Sequence, residues 1–207
     1  MANPILEQIN MRTLLSLIFT LFLSDRCFAQ LDSVSSKTDK QIMDKMQQLH
    51  DRNVDTIIYY HVDCNGFIKI NLKDSCFAYD IKYLLWVDKG QSFIQKFNEC
   101  FEYMPFKMNS SFFHLVRYNY RAIYKAVNGR SLFDHSCFSI FEIRFGIHTL
   151  TKKIDNYTLD YDYAKECHYC MQQYQQSKKS ILNKLKVSIE KEVAIYDKNS
   201  SNKKGAQ

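Results

Sequence analysis

The spacing of apolar residues changes from a helical period to a period of two near residue 54. Ile42, Met46 and Leu49 lie three or four residues apart, which predicts a short amphipathic helix over residues 38–51. From Thr56 to Val62 the chain is rich in Ile and Tyr, which predicts a strand that is apolar on both faces.

Two turn signals follow and predict two hairpins. Asn65-Gly66 is a strong two-residue turn, because both central positions of such a turn need positive φ. After it, residues 68–72 alternate Ile and Leu with Lys and Asn, as a returning strand does. Residues 81–87 and 93–97 flank Asp88-Lys89-Gly90 and predict the second hairpin.

The second half of the chain returns to helical spacing, with one more strand inside it. Asn109-Ser110-Ser111 offers a helix N-cap, an apolar stripe runs from Phe112 to Val127, and Gly129 is a natural stop. Apolar residues alternate with Glu142 and Arg144 over 141–147, which predicts a fifth strand. Asp160 to Tyr196 indicates one long helix, followed by a polar, frayed tail over 197–207.

These elements define the expected fold class. It is α+β: an antiparallel sheet of about five strands, two hairpins plus one strand, packed with three helices on one face, the last helix being long. The strand at 56–62 and the pair Leu84 and Trp86 leave the other sheet face apolar as well. We expect the long helix to cover that face; a partner protein is the alternative.

The N-terminal region has the order of a secretory signal. Basic Met11-Arg12 precedes the apolar run 14–23, and Cys27-Phe28-Ala29 supplies small residues where signal peptidase needs them. Cleavage is expected after Ala29, so that 1–29 is an N-terminal extension with its signal peptide and 30–196 is one domain. The signal ends in Phe-Ala-Gln, which is typical of a bacterial protein. The ten residues before Met11 contain one acid and no base, which favours Met11 as the start.

Three other interpretations of this region remain. Two of them are an uncleaved signal anchor and a buried core helix. A transmembrane helix is disfavoured because crossing a bilayer takes about 20 residues, more than this run has. Lipidation of Cys27 is disfavoured because Asp25 and Arg26, rather than small residues, precede it. The leading expectation is an exported protein, periplasmic or extracellular, without a transmembrane span after cleavage.

Composition limits the class of partner. Aromatic residues are abundant and Gly and Pro are scarce, which excludes a disordered or collagen-like chain. Residues 1–29 hold two acids and two bases, so the cleaved chain keeps the net charge of +6. An exported basic protein meets acidic surfaces or other exported proteins before it meets nucleic acid, so no nucleic-acid partner is expected.

Six cysteines remain after cleavage, and an even number in an oxidising compartment predicts disulfides. Hairpin geometry separates Cys64 from Cys76 by the length of a strand, which disfavours that pair. The favoured pairs are Cys76–Cys100, then Cys167–Cys170, then Cys64–Cys137, with Cys100–Cys137 as the competitor of the last.

Cys167-His168-Tyr169-Cys170 is the sharpest motif. A structural disulfide is the leading interpretation, and thiol–disulfide exchange is the alternative, because a helix start favours a thiolate. Thioredoxin is disfavoured because only a helix follows, and haem attachment because Met171 follows the second Cys. Zinc held by His61, Cys64 and this motif is a further alternative. No cofactor is expected.

Arg117, Arg121 and Lys125 lie four residues apart and form a basic row opposite the apolar stripe. Such a row is the solvated face of an ordinary helix, or it binds phosphate, sulfate or carboxylate groups. Because no catalytic signature stands out, the expected function is a non-enzymatic binding protein for an anionic surface or another exported protein. The alternative is an enzyme with a site assembled from dispersed residues, including Cys167 and Cys170.

Overall fold

A computed structural model describes residues 37–64, 81–100, 103–130 and 136–204. The predicted signal peptide and its cleavage site, the turn at Asn65-Gly66, the strand at 68–72 and Cys76 lie outside these residues. The elements, in chain order, are α1 Lys37–Asp51, β1 Thr56–Cys64, β2 Lys82–Asp88, β3 Gln91–Phe97, β4 Phe106–Met108, α2 Ser111–Tyr118, α3 Tyr120–Lys125, β5 Cys137–Phe145, β6 His148–Asp155, a 3-10 helix Asn156–Leu159, α4 Tyr161–Ala164, α5 His168–Lys179 and α6 Ile181–Lys204.

The described strands form one antiparallel sheet in the order β4-β3-β2-β1-β5-β6. The α+β prediction is confirmed, with six strands among the described residues instead of about five. The second hairpin is also confirmed: β2 and β3 are joined by Lys89 and Gly90, both at positive φ. β1 pairs with β2 and β5 over Thr56–His61, so neither edge of this stretch is left for the strand expected at 68–72.

Helices cover both faces of the sheet. α2, α3 and α6 pack on one face, where Ile58, Leu85 and Phe141 are buried beneath them. α1 covers the other face, where Ile57 and Trp86 lie in a second apolar cluster. The helices are therefore not confined to one face. The expectation that the long helix covers the second face is also wrong, because the first helix, not the last, covers it.

The predicted helices are divided more finely than the apolar spacing indicated. Asn119 separates α2 from α3, and the long helix expected from Asp160 is three helices, α4 to α6. Ser180 ends α5 with an extended backbone, and its Oγ accepts a hydrogen bond from Asn183 N at 3.1 Å, which caps α6. α6 continues to Lys204, past Asp197, where the frayed tail was expected to begin.

Candidate anion-binding surface

The basic row lies on two short helices that behave almost as one. Between α2 and α3, Asn119 N donates to Leu115 O at 3.1 Å, and Asn119 O accepts from Ile123 N at 2.9 Å. The helical path therefore continues through Asn119 with only a local distortion. Residues spaced by four stay on one side, so the row that the sequence predicts is preserved across the break.

All three side chains of the row, Arg117, Arg121 and Lys125, are exposed. None of them forms an ion pair within the described part of the chain, although other basic residues do. Lys82 Nζ, for example, lies 2.5 Å from Asp39 Oδ1, and Lys96 Nζ lies 2.8 Å from Asp197 Oδ1. No carboxylate of the described ranges therefore neutralises the charges of the row, which face the solvent.

Aromatic side chains project between these charges. Tyr118 is 88 % exposed, and Tyr124 is 64 % exposed. At 100° per residue, these two rings and the row fall within a sector of roughly 120°, together with the exposed His114. We call this surface the basic face; it consists of His114, Arg117, Tyr118, Arg121, Tyr124 and Lys125. Val127, 82 % exposed, lies just beyond its end.

The inner side of the same helices is anchored in the core. Phe112, Val116 and Ile123 are buried in the cluster that joins α2, α3 and α6 to the sheet. Burial of side chains of this size stabilises a fold by about 1.5–3 kcal/mol each. The basic face is therefore presented by a rigid element, which is what a binding surface needs to keep its charges in register.

A buried lysine holds the end of α3. Lys152 of β6 is 7 % exposed, and its Nζ donates to Tyr124 O at 2.8 Å and to Ala126 O at 2.6 Å. These carbonyls belong to the last turn of the helix and to the residue after it, where intrahelical donors run out. The ammonium group satisfies them and also complements the negative end of the helix dipole.

The segment after α3 lies against the edge of the sheet. Gly129 N donates to Lys153 O at 2.9 Å, and Lys153 N donates to Asn128 Oδ1 at 3.0 Å. A Cβ atom on Gly129 would lie 2.7 Å from Asp155 N, closer than a side chain tolerates. The glycine that the sequence marks as a helix stop is thus also needed for this close approach.

Two of the disulfide pairs that the sequence predicts are present among the described residues. Cys64 and Cys137 stand directly opposite each other on β1 and β5, with their Cα atoms 3.9 Å apart. Cys167 and Cys170 bridge the first turn of α5, with their Cα atoms 5.1 Å apart. Cys100 is disulfide-bonded as well. The pair Cys76–Cys100 stays a prediction, because Cys76 lies outside the described residues.

These bonds bear on the zinc alternative. Cys64, Cys167 and Cys170 are all oxidised, so their thiolates are not available to a metal. Within the described ranges, no group of three or more His, Cys, Asp or Glu side chains is placed to hold a metal ion. His61, the fourth proposed ligand, stacks on Tyr59 with ring centroids 4.8 Å apart.

Several buried titratable groups lie in the core rather than at the surface. Burial raises the pKa of Tyr60 to about 12 and that of Tyr196 to about 12. Burial, assisted by the charge of Asp197, also raises the pKa of Tyr83. Burial raises the pKa of Glu192, and a backbone hydrogen bond from Asn109 partly opposes it. These groups pack the sheet against α6.

The sequence predicted the cations of the surface but not its tyrosines. Tyr118 and Tyr124 lie off the apolar stripe that the helical spacing predicts, and the periodicity by itself assigns them no role. One signal was available: no Asp or Glu occurs between Glu102 and Asp134, while five Lys or Arg do, namely Lys107, Arg117, Arg121, Lys125 and Arg130. A stretch this long without acids indicates a surface selected for one sign of charge.

No protein-family model, curated protein or solved structure matches this chain. The function therefore has to be inferred from the site itself.

Proposed function

We propose that this protein is an exported, non-enzymatic domain that docks onto an anionic lipid surface through its basic face. One observation carries the proposal: Arg117, Arg121 and Lys125 form no ion pair with any described carboxylate and alternate with the exposed rings of Tyr118 and Tyr124. A merely solvated helix face would gain nothing from exposing two aromatic rings among its charges.

The combination suits a bilayer better than a fully polar polyanion. Tyrosine is enriched at the membrane–water interface, because its ring is apolar and its hydroxyl is polar. Each Lys or Arg close to an anionic bilayer contributes about 1 kcal/mol. None of the helices in the described part of the chain is long and apolar enough to cross a membrane. Export is supported by the signal-like N-terminal residues and by the disulfides, which are stable in oxidising compartments.

The direct test is binding to vesicles of phosphatidylcholine with and without phosphatidylglycerol. Replacing Arg117, Arg121 and Lys125 together with Gln should weaken binding to the anionic vesicles roughly 100-fold, since three contributions of about 1 kcal/mol are lost. The binding should also weaken with added salt, because exposed charges are screened.

A matched control separates the basic face from the overall charge. Lys184, Lys191 and Lys198 are exposed on α6 and do not belong to the basic face, and their replacement with Gln removes the same charge. That variant should bind anionic vesicles nearly as well as the wild type. Equal losses in the two triple variants would reduce the effect to net charge and contradict the proposal.

The aromatic residues need a separate variant. Replacing Tyr118 and Tyr124 with Ser should lower vesicle binding while leaving retention on a sulfated resin unchanged, because only the bilayer has an apolar interior. Loss on both matrices would contradict the assignment to lipid. Binding of another exported protein to the same face, with no binding to vesicles, would contradict it as well.

A second candidate function is thiol–disulfide exchange at Cys167 and Cys170. Cys167 is exposed, and Cys170 N donates to its Sγ at 3.0 Å, so the bond lies open at the start of α5. A substrate thiolate would attack Cys167 Sγ and release the Cys170 thiolate. The second substrate thiol would then resolve the mixed disulfide, leaving an oxidised substrate and a reduced Cys167-Cys170 pair.

The surroundings of this motif differ from those of thioredoxin. A 3-10 helix and α4 precede Cys167 instead of a strand, and the described sheet is antiparallel throughout. Oxidation of a dithiol peptide by the purified protein, lost in Cys167→Ser, would support exchange. An inert disulfide would assign the pair to structural support of α5.

A further inference from the structure

A groove with a volume of about 760 Å³ lies beside the basic face. The end of α3 and residues 126–130 form one wall, and α5 with the start of α6 forms the other. Residues of β6 and Thr158 complete the lining. A groove of this size accommodates a small ligand or a few units of a polymer.

The electrostatics of the groove favour an anion. Lys125 and Arg130 line one wall, and neither forms an ion pair within the described residues. On the other wall α5 ends at Lys179 and α6 begins at Ile181, so helix ends of opposite sign meet there and the positive charge of the groove comes from Lys125 and Arg130. The only acid of the described lining, Asp155, is buried; it accepts from Ser136 Oγ at 3.2 Å and Tyr157 N at 3.0 Å.

The wall from α5 carries neutral groups that suit hydroxyl-rich ligands. Gln173, Gln176 and Ser177 line it, and their amides and hydroxyl both donate and accept hydrogen bonds. Tyr169 stands at the same wall with 61 % exposure, and its Oη accepts from Gln173 Nε2 at 2.6 Å. That bond restrains the ring, which offers a flat apolar face to the C–H side of a sugar ring.

We infer that this groove binds a short acidic oligosaccharide, one whose sugar units carry carboxylates. Arg130 and Lys125 pair with the carboxylates, the α5 amides bind the hydroxyls, and Tyr169 stacks on a ring. A site for phosphate alone would need the two cations but not the tyrosine and the amides. Cleavage of the sugar is not implied, because glycoside hydrolysis ordinarily uses two carboxyl groups and the described lining offers only the engaged Asp155.

This inference goes beyond docking on lipid and shares only Lys125 with it. Its test is calorimetric titration of the whole protein with trigalacturonate, with neutral maltotriose and inorganic phosphate as comparison ligands. Trigalacturonate should bind about tenfold or more tightly than maltotriose, since a charge-assisted hydrogen bond contributes at least about tenfold. Arg130→Gln should weaken trigalacturonate binding by about tenfold for the same reason.

Two tyrosine variants separate this site from the basic face. Tyr169→Ala should weaken trigalacturonate binding and leave vesicle binding unchanged, whereas Tyr118→Ala should do the reverse. Arg130→Gln keeps the test valid if Tyr169→Ala disturbs the turn between Cys167 and Cys170. Equal affinity for maltotriose, binding of phosphate alone, no binding of trigalacturonate, or an unchanged affinity in Arg130→Gln would each overturn the inference, whatever the vesicle experiments show.

Discussion

Replacing Lys152 with Met tests how the basic face is held in place. Methionine keeps the unbranched apolar stem but removes the ammonium group that donates to Tyr124 O and Ala126 O. Both carbonyls then lose their partner at the end of α3, in a place where Lys152 itself is buried. A buried polar group left without its hydrogen bond costs about 1–3 kcal/mol.

With two carbonyls affected, and some access of water to them after the change, we expect a loss of about 2–4 kcal/mol in the free energy of unfolding. For a domain of this size, that corresponds to a fall in melting temperature of roughly 5–15 °C. Urea unfolding of the oxidised protein, followed by circular dichroism, measures the change directly. The midpoint should fall while the slope with denaturant stays constant, because the surface exposed on unfolding is unchanged.

The neighbouring residue provides the control. Lys153 lies on the opposite side of β6, half-buried, with its Nζ 4.8 Å from the centre of the Phe138 ring. Lys153→Met keeps the apolar contact and leaves the carbonyls of α3 untouched, so it should cost under about 1 kcal/mol. If Lys152→Met were as stable as the wild type, or no less stable than Lys153→Met, the capping role of Lys152 would be refuted.

Two further predictions concern the core and the disulfides. Replacing Cys64 and Cys137 with Ser should cost roughly 2–4 kcal/mol, and more than the same change at Cys167 and Cys170, since the bond spans 73 residues instead of 3; equal losses in urea unfolding would contradict this. The contribution of Tyr60 to the free energy of unfolding should be fully present below about pH 10 and should be lost as the pH rises through about 12. The reason is that the folded state holds the proton of Tyr60 to a higher pH than the unfolded state does. In Tyr60→Phe that decline should be smaller by roughly 2 kcal/mol, as measured by urea unfolding across the alkaline range.

The sequence predicted the elements that rest on strong local signals. The sequence predicts the hairpin of β2 and β3 because Lys89-Gly90 is a local turn signal between two alternating stretches. It does not predict the strand β6, because the adjacent Lys152 and Lys153 interrupt the alternation of apolar and polar residues there. Both lysines are explained by contacts with residues distant in the sequence. Lys152 points to the helix face of the sheet and caps α3, whereas Lys153 points to the other face and lies beside Phe138.

The helix boundaries were obscured in the same way. Apolar residues continue at helical spacing from α5 into α6, so the periodicity does not show the break at Ser180. The break depends on one backbone conformation and one hydrogen bond from Asn183 N, which a count of apolar positions does not detect. The cover of the second sheet face was equally beyond local signals, because it depends on which helix the chain brings there.

The candidate site combines a predictable part with an unpredictable one. The basic row follows from spacing alone, since residues four apart share a helix face. The groove does not, because its walls come from α3 and α5, about fifty residues apart in the chain, and from the start of α6. Tyr169 illustrates this: nothing in the cysteine motif distinguishes it as a binding residue, and only the packing of α5 places it opposite Arg130.

The proposed binding surface and the protection of the sheet edge depend on the same contact. β6 is the last strand on its side of the described sheet, and an uncovered edge strand invites pairing with another chain. Asn128 and Gly129 occupy part of that edge by hydrogen bonding to Lys153, directly after the helix that carries the basic face. A change that frees this segment therefore alters two properties together: it displaces Arg130 from the groove and exposes the edge of β6. Selection for solubility would then preserve the geometry of the proposed binding site as well.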